Sequence, residues 1–121
     1  RYFVSADVGM GEYMIKNFEA MACGCVLFAY DQGEAENRAL GFVDMHNIVL
    51  YRTRDELREK LAVLRQSPQL TETISLAGQA LVEQRYTFRA VGHAIVDALR
   101  APLREHVPLG WKEKLRLSLG L

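Results

Sequence analysis

The chain has 121 residues, half of them hydrophobic, and its 15 basic residues cancel its 15 acidic ones. That length and composition fit one ordinary globular core and exclude a disordered chain. Zero net charge leaves no global field to hold nucleic acid, and no apolar run reaches the ~18–20 residues of a membrane span.

Tyr2 to Ser5 is short, apolar and β-prone, a strand already under way, which implies that further chain precedes Arg1. Ala6 to Gly11 follows as a loop with two glycines. From Glu12 to Cys23, Met14, Phe18 and Met21 fall at helical spacing, flanked by Ile15 and Ala22 with Lys16 on the far side, and Gly24 stops the helix. Cys25 to Tyr30 is a continuous apolar run, the pattern of a strand covered on both faces in a parallel sheet. Strand, loop, helix and strand thus form one crossover unit.

Asp31 to Asn37 reads as a polar loop at the carboxyl end of the second strand, leading into a short helix through Leu40. Asn47 to Tyr51 makes a third strand. Thr53 followed three residues later by Glu56 is a capping box, opening a helix with Leu57, Leu61 and Leu64 on its apolar stripe and Ser67-Pro68 at its end. A further helix carries Ile74, Leu76, Ala77, Ala80 and Leu81, and another runs from Phe88 through Val91, Ile95 and Leu99 to Arg100. Pro102 and Pro108 frame a loop. In the tail, Trp111, Leu115 and Leu119 with Lys112, Lys114 and Arg116 outline a short basic amphipathic helix.

Cys23 and Cys25 stand too close in sequence for an unstrained disulfide and read as buried free thiols of a reducing compartment, hence a cytoplasmic protein. The other soft ligands, His46, His93 and His106, are scattered, so neither a metal site nor a cofactor is expected.

The chemistry concentrates where Gly9-Met10-Gly11-Glu12-Tyr13 enters the first helix. Small residues let a ligand approach the backbone, and the first N–H groups of a helix are unpaired, an arrangement that suits a diphosphate as well as it suits a plain turn. Two turns on, Glu19 lies between Ile15 and Cys23 at the boundary of buried and exposed. It is placed either to accept hydrogen bonds from vicinal hydroxyls, such as those of a ribose, or to pair with Lys16. Glu12 suits the helix dipole and is spaced i, i+4 from Lys16. Asp31, Glu34, Glu36 and His46 sit at the sheet edge, as ligands or as solvated loop residues. No Gly-x-Ser-x-Gly segment or phosphate loop is present.

Phe18-Glu19-Ala20-Met21-Ala22-Cys23-Gly24 resembles the Glu-Ala-Met-Ala-x-Gly segment of retaining glycosyltransferases with two Rossmann-like domains, the GT-B type, group 1. Gly33-Glu34-Ala35-Glu36, Asp55-Glu56-Leu57, Ala77-Gly78 and Tyr86-Thr87-Phe88-Arg89 are similar to their C-terminal domains, and the likeness spans Tyr2 to Leu99. It implies that a nucleotide-diphosphate sugar is the donor co-substrate, with Gly9, Met10, Gly11, Tyr13 and Glu19 binding it and Glu19 on its ribose. An N-terminal domain outside this chain would hold the saccharide or other acceptor. The family often has a second Glu eight positions before the first; here that position is Gly11, and Glu12, one residue on, is the catalytic candidate.

The expected architecture is a three-layer Rossmann-like α/β domain over residues 1–100, with a parallel sheet of about three strands, an open front edge and helices packed as an appended layer, then a helical tail over 101–121. The open edge suits a homodimer. The basic tail suits docking on the N-terminal domain or, alternatively, peripheral contact with a membrane.

Overall fold

A computed structural model describes residues 1–6, 12–102, 110, 111, 116 and 118. The elements are β1 (Tyr2–Ser5), α1 (Ile15–Ala22), β2 (Val26–Tyr30), α2 (Glu34–Leu40), β3 (Val49–Tyr51), α3 (Arg54–Gln66), α4 (Pro68–Arg85) and α5 (Phe88–Arg100). The strands form one parallel sheet in the order β1-β2-β3, with Val4 beside Phe28 and Phe28 beside Val49. The second crossover passes through α2 and the first through α1.

Alternation along β2 explains the layering. Val26 and Phe28 point to one face, where they pack with Val49, Leu64 of α3 and Ile74 of α4. Leu27 and Ala29 point to the other, where Met21 of α1, Phe42, Ile48, Leu50 and Val82 of α4 close over them. The first four of the five β2 residues, Val26 to Ala29, are buried, which is why this strand reads as an unbroken apolar run. β1 is paired on one side, by β2, among the described residues, and Val4 on it is half-exposed.

Helix α4 does more than fill space. Its Ser75 Oγ donates to the Gly24 carbonyl at 2.7 Å and its Gln79 amide to the Ala22 carbonyl at 3.0 Å, at the end of α1. Arg85 donates to the Ala39 carbonyl at 3.0 Å and the Tyr86 hydroxyl to Leu40 at 2.7 Å, at the end of α2. Helix α1 has eight residues and α2 seven, too few to hold a helix in water unaided, so these tertiary caps matter.

Several expectations are corrected. Helix α1 begins at Ile15, not Glu12, because Met14 is its N-cap in an extended conformation, with no side-chain cap bond, and the residue before it is tied elsewhere. Its buried side is Asn17, Ala20 and Met21, while Ile15 is 77% exposed. Cys23 is exposed because it is the C-cap of α1, beyond the buried face of that helix, and Cys25, just ahead of β2, is half-buried; both are free thiols. The third strand starts at Val49, since buried Asn47 serves the preceding turn instead: its Oδ1 accepts from Val43 N–H and its amide donates to the Gly41 carbonyl, each at 2.9 Å. Helix α4 buries Ile74, Gly78 and Val82, four residues apart, while Leu76, expected on its apolar side, is exposed, and α5 leaves Val91, Ile95 and Leu99 exposed. Thr53 caps α3 by accepting from Glu56 N–H at 3.1 Å, as its sequence predicts. The tail-helix expectation falls largely outside the described residues.

Candidate functional site

The carboxyl ends of the three strands carry three connections; the expected donor-binding and catalytic residues lie on the first, and Asp31, Glu34 and Glu36 on the second. Gly9, Met10 and Gly11 lie outside the described residues. Glu12 is exposed, two residues ahead of the N-cap, so Glu12 and Tyr13 precede α1 rather than form its first turn. Glu19 is exposed on the solvent face of α1, one turn from exposed Ile15. The carboxylates of Glu12 and Glu19 make no ion pair among the described residues; the pairings with Lys16 do not form.

Tyr13 is the residue the structure ties most firmly. Its ring meets Phe42 edge-on with centroids 4.9 Å apart, and its hydroxyl donates to Asn37 Oδ1 at 2.6 Å and accepts from Gln32 N–H at 3.4 Å. Asn37 in turn donates to Asp31 Oδ1 at 2.7 Å, which also accepts from Gly33 N–H at 2.9 Å. Arg52 completes the chain, donating through Nε to Asp31 Oδ2 at 2.9 Å. Farther along the same edge, Lys60 bridges Asp44 and Glu56, each at 2.8 Å, and donates to the Leu50 carbonyl. His46 is exposed in the turn before β3 and takes no part.

Four of these groups titrate away from their usual values. Hydrogen bonds from Lys60 and the Arg52 N–H lower Glu56. Burial alone would lower Lys60, but hydrogen bonds to Asp44 and Glu56 raise it. Tyr13 and Asp31 shift as follows. Burial pushes the Tyr13 hydroxyl up to about 12, against the lowering hydrogen bond from Gln32 N–H, with the Asp31 and Glu36 carboxylates adding to the rise. For Asp31, burial alone would raise the carboxyl, but hydrogen bonds from Gly33, Asn37 and Arg52 and the guanidinium charge together hold it below the ordinary carboxylate value. A depressed carboxyl contributes stability that is complete above about pH 4 and is lost as pH falls through its folded value. A raised phenol contributes stability that is complete below about pH 10 and is lost as pH climbs through its folded value. Urea midpoints are therefore expected to decline at both extremes, with Asp31→Asn removing part of the acid-side decline. An acid limb that this substitution leaves untouched would mean other carboxylates produce it.

A cleft of about 540 Å³ opens at this edge, lined by Asp31, Asn37, Arg38, Phe42, Asp44 and Arg52 among others. Another of about 460 Å³ lies at the amino ends of β1 and β2, beside Tyr2, Val26, Thr71 and Ser75. Open parallel sheets bind ligands at their carboxyl edge, so the second cleft is set aside. Neither is lined by Glu12 or Glu19. Among the described residues no cluster of three or more His, Cys, Asp or Glu could hold a metal ion, and no helix is long and apolar enough to cross a membrane.

Asn37 and Arg52 were not singled out from sequence. Polar residues in a short helix and after a strand carry no local signal, and their significance comes from three turns meeting in space. Asp31 was named at this edge, and the structure brings it together with Tyr13 through Asn37.

A short parallel sheet with helices on both faces and polar groups gathered at its carboxyl edge defines a Rossmann-like α/β domain. The chain belongs to the family described as glycosyl transferase-like, whose model matches residues 3–97. No curated protein and no solved structure matches it.

Proposed function

We propose that this chain binds the nucleotide-diphosphate sugar of a glycosyltransferase, acting with an acceptor-binding N-terminal domain that lies outside it. One observation carries the reading. In the segment Phe18 to Gly24, Glu19 stands exposed and, among the described residues, without an ion pair, on a helix whose opposite side is buried against the sheet. Its carboxylate has both oxygens available for the vicinal hydroxyls of a ribose, and exposed Ile15, one turn nearer the helix start, offers apolar surface beside it.

In this reading the segment Gly9-Met10-Gly11 and the first turn of α1 hold the diphosphate. Backbone N–H groups and the positive end of the helix stabilise the departing negative charge while the sugar develops oxocarbenium character. The start of α1 at Ile15 moves that role one turn later than the sequence suggests. Glu12, ahead of the helix, stands nearest to the family's sugar-proximal position. No metal or organic cofactor is required, and the setting is cytoplasmic or at a membrane surface. The side of β1 away from β2, unpaired among the described residues, suits pairing with a further strand, whether from a second copy or from elsewhere in the protein.

Gly11, in place of the family's second Glu, favours one alternative: recognition of the nucleotide sugar without turnover. Turnover of a radiolabelled donor by the intact protein separates the two readings.

The reading is tested by calorimetric titration with uridine and guanosine diphosphates. Glu19→Ala is expected to weaken binding by about 1–3 kcal/mol, the cost of charged hydrogen bonds lost. Equal affinities of the two proteins would remove Glu19 from the site.

A further inference from the structure

One chain of hydrogen bonds runs through all three connections at the carboxyl edge. It starts at Tyr13 between β1 and α1, passes through Asn37 of α2 and Asp31 after β2, and ends at Arg52 after β3. Its direction is fixed from one end. Asp31 is an acceptor, so Asn37 must turn its amide toward Asp31 and its carbonyl toward Tyr13. Asn37 is buried, and its reversed orientation would set a carbonyl against a carboxylate. Tyr13 must therefore donate to Asn37, and its one O–H has nothing left to give a ligand. The remaining hydroxyl acceptor faces Gln32 N–H, and the ring is held edge-on by Phe42.

Among the described residues no side chain caps the entry to α1, which has only the backbone bond from Asn17 N–H to the Met14 carbonyl at 2.9 Å. We propose that Tyr13 is a positioning residue rather than a direct contact of the sugar donor. Through Asn37, Asp31 and Arg52 it presets the segment Glu12 to Met14, and with it the start of the helix whose exposed face carries Glu19. Asn37, Asp31 and Arg52 are thereby positioning residues too. The inference rests on the donor-binding reading above. Its physical content is preorganisation: a segment already held in place has less freedom to lose when a nucleotide binds.

The test is calorimetric titration of the intact protein with uridine and guanosine diphosphates, in four forms: unmodified, Tyr13→Phe, Arg52→Gln, and the double variant. Tyr13→Phe keeps the ring on Phe42 and removes only the hydroxyl. Each single substitution is expected to raise Kd at least about threefold, and the double variant to bind no more weakly than the weaker single, as coupled residues do. Melting temperatures taken alongside distinguish a role in folding alone, which would lower them and leave Kd unchanged. Unchanged Kd values overturn the proposal, and so do losses that simply multiply, because Arg52 and Tyr13 would then act independently. If the unmodified protein binds neither nucleotide, the donor-binding reading falls and this inference falls with it; if it binds and the variants bind equally well, only this inference falls.

Discussion

Replacing Phe28 by alanine is expected to remove about 3–5 kcal/mol of folding stability, the range for deleting a large aromatic side chain from a packed core. Phe28 is fully buried at the centre of β2, flanked by Val4 and Val49 on the neighbouring strands. Tyr2 meets its ring edge-on with centroids 5.9 Å apart. Its cluster also holds Leu64 and Ile74, from two different helices. A void there is walled by rigid elements on several sides and cannot collapse cheaply. Domains of this size are stable by roughly 5–15 kcal/mol, so the variant should stay folded unless the starting stability lies near the lower end of that range. Urea unfolding measures the change, and a loss below about 1 kcal/mol, the scale of a typical surface or boundary substitution, would mean Phe28 is not packed as described.

Two helical glycines are expected to respond to alanine with opposite signs. In an exposed helix interior the exchange stabilises by about 1 kcal/mol, because glycine has more backbone freedom to lose. Gly92 in α5 has open space around a new Cβ and should follow that rule. At Gly78 in α4 a Cβ would stand 2.8 Å from the Asn47 carbonyl oxygen and 3.3 Å from Met21 Cε. Met21 has a flexible end that can shift, but the Asn47 carbonyl cannot. Asn47 is buried, its side chain is committed to Val43 and Gly41, and the next residue, Ile48, is fully enclosed. Gly78→Ala is therefore expected to destabilise by about 1–3 kcal/mol, as overpacking does, and Gly78→Val by more. Paired thermal melts decide it: a rise in melting temperature for Gly78→Ala would show that α4 does not approach the 41–48 turn so closely.

The parts of this fold that sequence makes legible are those set by neighbours along the chain. Val26 to Tyr30 declares a strand by its unbroken apolar run, and Thr53 with Glu56 declares the start of α3, because both signals act within a few residues. The start of α1 is not legible in this way. Glu12, Tyr13 and Met14 have nothing against a helix locally, but Tyr13 finds its partners far along the chain, at Asn37 and Phe42, and the segment stays out of the helix, with Met14 extended. Asn17 is a polar residue on the face of α1 where hydrophobic spacing places Phe18 and Met14, and its buried Oδ1 has no hydrogen-bond partner among the described residues. Of the proposed site, Glu19 is named by its motif alone, and its role rests on the donor-binding reading. The Asp31–Asn37–Arg52 connection was not legible, since no pattern in one strand reports where another strand's turn will lie.

The clasp made by α4 also sets an order of events during synthesis. β1, α1, β2 and α2 leave the ribosome before Ser75, Gln79, Arg85 and Tyr86 have been joined to the chain. Until then the carbonyls of Ala22, Gly24, Ala39 and Leu40 lack the side-chain donors that meet them in the finished protein. Val26 to Ala29, fully enclosed at the end, has only one of its helical covers in place. A nascent chain halted between Tyr30 and Tyr86 thus presents an apolar strand beside two short helices without their tertiary caps, the kind of species that associates with its neighbours before it can fold. Cellular yield should depend on how quickly that stretch is translated, and a chaperone that shields exposed apolar strands would be needed most in that window.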